Sequence, residues 1–355
     1  MNQRTIKAFL TAAAAGVLAA GLAATIVSAG PAQRLSNLHG TVWLANRGAN
    51  TIAGFDATTG EAVHVVTMAA GSQPGDLALA NGKLYVAEEM GPAPAIAIVD
   101  PAGIAPIHRI SMAVGSRPHH VHASPDGDLV AVGLYGTDMV AVVDTTTETL
   151  LGTWDTNPDP NATAGRAHAG VFSRDGSTLY VASDTTGEVI AMDPRNGFIR
   201  WRLGVPAAHE LAVRDGKSLY VSRRTANRLA VIDLEQRTWT DVLQLTLPDT
   251  LALSANRKLL TIGLRTTPAQ VAVVDTETLA VDLVPIGPAA DLTTVAGHQW
   301  TSPGGRYTVA SFEGGSRPGF AVIDHRAGNT VVGAIEYPTR PHGVEFIPAD
   351  EDAAD

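Results

Sequence analysis

Cysteine is absent from this 355-residue chain. That excludes disulfide staples, thiolate zinc, iron–sulfur or copper sites, covalent c-type haem and a cysteine nucleophile. Any metal must be held by His, carboxylate, Met or backbone oxygen. Charge is sparse as well: Asp, Glu, Lys and Arg make up 17% of the residues and sum to −10 with His neutral. A chain of that sign offers no counter-charge to nucleic acid or to an anionic membrane surface. No nucleophile elbow, P-loop, dinucleotide fingerprint or H-E-x-x-H helix occurs. What the chain has in plenty is Gly (35) and Pro (21), the composition of many short strands joined by tight turns.

The first residues read as an export signal. Arg4 and Lys7 form a positive start, an apolar run follows from Ala8 to Val27, and Val27-Ser28-Ala29 has the small-residue form of a cleavage site. An uncleaved anchor is the alternative, since the run is nearly long enough to span a bilayer. Its Ala- and Gly-rich composition favours cleavage. The expected organisation is a secretory signal peptide over 1–29, one domain over 30–348 and an acidic disordered tail over 349–355. The mature protein is expected to be periplasmic or secreted, free of the membrane and monomeric.

An internal repeat decides the expected fold. An apolar run ending in Asp recurs seven times, closing at Asp56, Asp100, Asp144, Asp193, Asp233, Asp275 and Asp324. The spacing averages about 45 residues, the length of one four-stranded propeller blade. Turns precede apolar strands at Ser124-Pro125-Asp126-Gly127, Ser173-Arg174-Asp175-Gly176, Val213-Arg214-Asp215-Gly216 and Ser302-Pro303-Gly304-Gly305. Each unit reads as strand A, turn, strand B, loop, strand C ending in Asp, a turn that is often Thr-rich, and strand D. The repeated Asp is a structural group, its carboxylate accepting N–H groups of the turn behind it. After the signal the chain begins at a strand B, Thr41 to Ala45, and it ends on a lone strand A, Pro341 to Phe346. The expectation is therefore an all-β, seven-bladed β-propeller whose last blade is closed by strands from both termini, leaving no long open edge.

The Ser-Pro-Asp-Gly turn at 124–127, Leu179-Tyr180-Val181-Ala182 and Val143-Asp144-Thr145 resemble the YVTN-type propeller repeats of bacterial exported and surface proteins. The resemblance covers the whole mature chain and implies architecture. It is nearly silent on function, because propellers carry many unrelated activities.

The histidines are placed less evenly than chance would place them. Seven of the eleven fall in the short window at the start of a strand A: His119, His120 and His122, then His168, His209, His298 and His342. Strand A lines a propeller's central channel, and all seven enter it from one face, so these positions converge on the axis. Side chains alternate along a strand, which puts His120 and His122 on one face and His119 on the other unless the strand start is irregular. Imidazoles presented by several rigid blades form a plausible transition-metal site, and all seven are candidate metal ligands. Asp76, Arg166, Glu210 and Glu345 share the same windows. Glu88, Glu89, Tyr135, Asp138, Arg223, Arg224, Arg265, Glu313 and Arg317 fall in loops at the same mouth. Glu210 and Glu345 rank highest among them, because they alternate with the His set.

Arg117-Pro118-His119-His120-Val121-His122 is similar to the His-His-x-His stretch in the propeller of nitrous-oxide reductase. That resemblance implies a His-bound copper. It does not extend to reduction of nitrous oxide, since this chain is shorter, has no cupredoxin domain and has no Cys for a second copper centre. Three functions stay open at this level. One is a periplasmic protein binding a transition metal, copper by preference, in a ring of axial histidines, either for redox work with a periplasmic partner or for storage and delivery. The second is an interaction scaffold that binds a protein partner. The third is a hydrolase of the propeller lactonase kind, with His and Glu as base or holding a divalent ion. A site of His alone favours the first, and a mixed His–carboxylate site the third.

Overall fold

The computed structural model describes residues 38–157, 166–288, 291–337 and 339–349. The signal expected over 1–29 and all of the acidic tail except Ala349 lie outside them. All the strands among the described residues fall into seven four-stranded antiparallel sheets, with one 3-10 turn at Arg224–Ala226. No helix among them is long and apolar enough to cross a membrane.

In six sheets the four strands follow chain order from the axis outward. The seventh breaks the order: the last strand, Pro341–Pro348, pairs with the first, Gly40–Asn46, through Thr41–Ile347, Val42–Phe346 and Trp43–Glu345. Each innermost strand contacts the innermost strands of its two neighbours, so the seven close a ring. This is the seven-bladed propeller expected, closed by both ends of the chain.

The middle strands of each blade are apolar on both faces because another blade packs on each side. Val140, Ala141, Val142 and Val143 are all fully buried. The outer strand of that blade, Thr149–Asp155, faces solvent and carries no fully buried residue. The seven closing Asp residues do what their context implies. Asp144 Oδ1 accepts the N–H groups of Thr146 (3.0 Å) and Thr147 (2.9 Å), which holds its pKa below the ordinary carboxylate value. Asp56, Asp233, Asp275 and Asp324 repeat both bonds, and Asp100 and Asp193 make the first of them.

One feature of the ring matters most for the site. Every innermost strand slips register at its start: at Pro74/Asp76, Pro118/Val121, Ala167/Ala169, Ala208/Glu210, Pro248/Leu251, Ala296/Gln299 and Pro341/Val344. Such bulges re-aim side chains. In five blades the residue just before the strand has positive φ although it is not glycine: Gln73 (45°), Arg117 (51°), Ala207 (66°), Leu247 (46°) and Arg340 (56°). Non-glycine residues rarely adopt that conformation, and strain of this kind concentrates at functional sites.

Candidate functional site

The bulges turn the strand starts inward and bring all seven candidate histidines together. Ring centroids stand 4.5 Å apart for His119–His120, 4.2 Å for His120–His168, 4.5 Å for His120–His298, 3.6 Å for His168–His209 and 4.6 Å for His298–His342. His122 stacks 6.4 Å from His120. His119 belongs to the group because the strand start is irregular: its neighbour His120 and the distant His168 (5.2 Å) both face it.

The cluster is not made of imidazole alone. Glu210 approaches His120 Nδ1 (3.4 Å), His122 Nε2 (3.5 Å) and His168 Nδ1 (3.6 Å). It is 2% exposed, and neither of its carboxylate oxygens has a hydrogen-bond partner. Asp76 lies 3.0 Å from His298 Nδ1 through Oδ1, while its Oδ2 accepts the Val121 N–H at 3.0 Å. Glu89 meets His119 Nδ1 at 3.4 Å and is held by Arg47 (2.9 Å) and by Arg117. Burial would raise the Glu89 carboxyl, but His119 and these guanidinium groups bring it down to about 2.

Burial and crowding sort the rings by protonation. His120 and His168 lie well below the ordinary imidazole value, through burial first and the charge of neighbouring imidazoles second. His342 does too, through burial and then Arg47. These rings are neutral at pH 7. His168 Nδ1 donates to the His209 carbonyl at 3.0 Å, which leaves its Nε2 as the free lone pair. In His122 and His298 burial opposes the charged form, yet the Glu210 and Asp76 carboxylates raise the pKa overall. His209 is raised as well. Burial works against it, but Asp184 on Nδ1 (3.0 Å) and Asp249 on Nε2 (2.7 Å) lift it to about 9. An imidazolium clasped at both nitrogens braces the channel wall, and a lone pair is not on offer there.

Two cavities meet at this cluster. One of about 290 Å³ is lined by Asp76, His120, His122, Glu210, His298, Gln299 and Glu345. There burial raises Glu345 to about 7 despite N–H bonds from Phe346 and Leu79. The other, about 480 Å³, opens at the far end of the channel beside the strand A turns, with walls of Val171, Leu211, Val213, Leu251 and Leu253. His122 and Leu251 line both.

Among the described residues, three groups have ligand atoms within 4.8 Å of one another: His119–His120–His168, Asp76–His120–His298 and His120–His122–Glu210. His120 is in all three, and His209 and His342 are in none. Several loop candidates serve the scaffold instead. Arg317 pairs with Glu336 and Arg223 with Asp241 (2.6 Å), while Asp138 accepts the Arg166 N–H (2.6 Å) and Asn157 Nδ2 (2.8 Å). Sequence reasoning passed over Arg47 and the carboxylates of Asp184 and Asp249. Asp249 carried a usable signal: it follows Pro248 just as His119 follows Pro118 and His342 follows Pro341.

Fold and site define a propeller with one axial His–carboxylate centre. The chain belongs to the lactonase, 7-bladed β-propeller family, whose match spans residues 109–286, half of the sequence. Solved structures share the fold. A protein of unknown function from Desulfotomaculum acetoxidans has TM-score 0.66 and 13% identity, with 88% of this chain and 100% of that one covered. A putative 6-phosphogluconolactonase from Bacteroides uniformis has TM-score 0.64 and 18% identity, with 87% and 99% covered. Kuenenia stuttgartiensis hydrazine synthase has TM-score 0.60 and 18% identity, with 94% and 100% covered. A search of curated proteins gives no match.

Proposed function

We propose that this protein is an exported hydrolase of the propeller lactonase kind, which opens a cyclic ester at the axial His–carboxylate cluster. The observation that carries the reading is Glu210, a buried carboxylate without a hydrogen-bond partner, set among three imidazoles at a cavity of about 290 Å³. Burying a carboxylate with only long contacts of 3.4–3.6 Å to imidazoles costs free energy, an expense expected where the group has chemistry to do. Glu210 takes a proton from water as the water oxygen bonds to the lactone carbonyl carbon. The ring C–O bond then breaks, and His122, whose charged form Glu210 favours, returns a proton to the departing oxygen. The product is the open hydroxy acid. Membership of the lactonase family supports the reaction class. A ring of histidines holding copper accounts for the centre less well, because Asp76, Glu89, Glu210 and Asp249 are interleaved with the imidazoles, and hard carboxylates broaden the choice of metal.

The test is ring opening of γ- and δ-lactones by the purified mature chain, followed as acid release at constant pH. Glu210→Gln should lower kcat by about 10²–10⁴ with the fold intact. Absence of ring opening across the panel by the unaltered chain overturns the proposal.

A further inference from the structure

The channel holds a second arrangement that a general base alone does not require. Asp76, His120 and His298 come from three different blades, on strands Pro74–Ala80, Pro118–Ala123 and Val295–Thr301. Each sits at the bulge of its own strand. All three are buried, at 4%, 3% and 8% exposure, and their ligand atoms lie within 4.8 Å of one another. Both oxygens of the adjacent Glu210 are buried with no hydrogen-bond partner. Room for Asp76 depends on Gly343: a Cβ there would stand 2.5 Å from Asp76 Oδ1. The N–H of Val121 fixes the other oxygen, the outer support that orients a metal-binding carboxylate.

We infer that Asp76, His120 and His298 form a binding site for one divalent transition-metal ion, beside Glu210. Two imidazoles and one carboxylate with remaining positions open are a donor set for zinc or another borderline ion, and a poor one for magnesium or calcium, which take oxygen. Binding exchanges the proton between His298 Nδ1 and Asp76 Oδ1 for the ion. The ion's charge adds to that of the nearby imidazoles in offsetting the buried Glu210 carboxylate. Glu210 stays outside the ligand set, near enough to deprotonate a water on the ion. That catalytic role rests on the hydrolase reading, whereas binding of the ion stands apart from it.

The experiment is titration of the chelator-stripped mature chain with Zn²⁺, and in parallel with Cu²⁺, by calorimetry and elemental analysis after dialysis. One ion per chain is expected. His120→Ala and His298→Ala should weaken binding at least 100-fold. His64→Ala, on the outer strand Ala62–Thr67, and Glu210→Gln should keep the ion. Because a channel variant can misfold, crystals of the unaltered chain soaked in zinc give a second measurement: anomalous density between the three side chains is expected. Absence of a bound ion, or density elsewhere, overturns the inference. Ring opening undiminished in the stripped chain overturns the catalytic role and leaves the hydrolase standing. An ion bound at these residues with no lactone opened supports the site and sinks the hydrolase.

Discussion

The closure of the ring rests on one strand, and Phe346 is its main apolar anchor. The side chain is 2% exposed and packs in a cluster with Leu38, Val42 and Leu44 of its own blade and Tyr307, Val309 and Phe320 of the neighbouring one. Its ring stands 4.6 Å from that of Trp300. Phe346→Ala removes a phenyl group from a site where two blades meet and where strands on both sides resist collapse. Buried Phe→Ala changes cost about 3–5 kcal/mol. With an unfolding entropy of roughly 2.1 cal/mol/K per residue over a chain of this size, each kcal/mol lowers Tm by about 1.5 °C, so a fall of about 6 °C is expected. The assay is thermal unfolding followed by circular dichroism at one fixed scan rate, because large propellers can unfold irreversibly. Deleting residues from Pro341 onward is the stronger form. It strips the partner from Gly40–Asn46 and leaves an open sheet edge, so loss of cooperative unfolding is expected. A Tm within a degree of the unaltered chain in either variant would refute closure by the two termini.

Further outcomes follow from the turns and the first residues. The turn carboxylates of Asp144, Asp175, Asp215 and Asp275 all titrate below their ordinary value, at about 2 for Asp175, where the Ser173 hydroxyl is the largest cause. A folded-state pKa below the unfolded value of about 3.9 means that the stabilisation is complete above that pH and is lost as pH falls toward 2. Thermal unfolding between pH 5 and 2 should show a steady fall in Tm, and a flat profile would contradict the capping role. N-terminal sequencing of the protein recovered from a bacterial periplasm should read from Gly30. Recovery with Met1 intact in the membrane fraction would remove the export reading.

The sequence alone determined the blade count, the all-β class and the way the ring closes. These follow from local chemistry repeated seven times, an Asp that caps its own turn and apolar runs buried on both faces, and from a first strand, Gly40–Asn46, that reads as strand B and a last, Pro341–Pro348, that reads as strand A. It also marked the seven histidines, because register along a repeat is register around an axis. Tertiary structure decided the rest. The bulge at each strand start cannot be read from side-chain alternation, yet it is what turns His119 toward His120 and His168. Asp184 and Asp249 reach His209 from different blades, so only the closed ring shows that this histidine is clasped as a cation while His120 and His168 are neutral. Residues far apart in the chain become partners at the axis, and their protonation is set by burial and neighbouring charge, quantities that do not exist until the blades are packed.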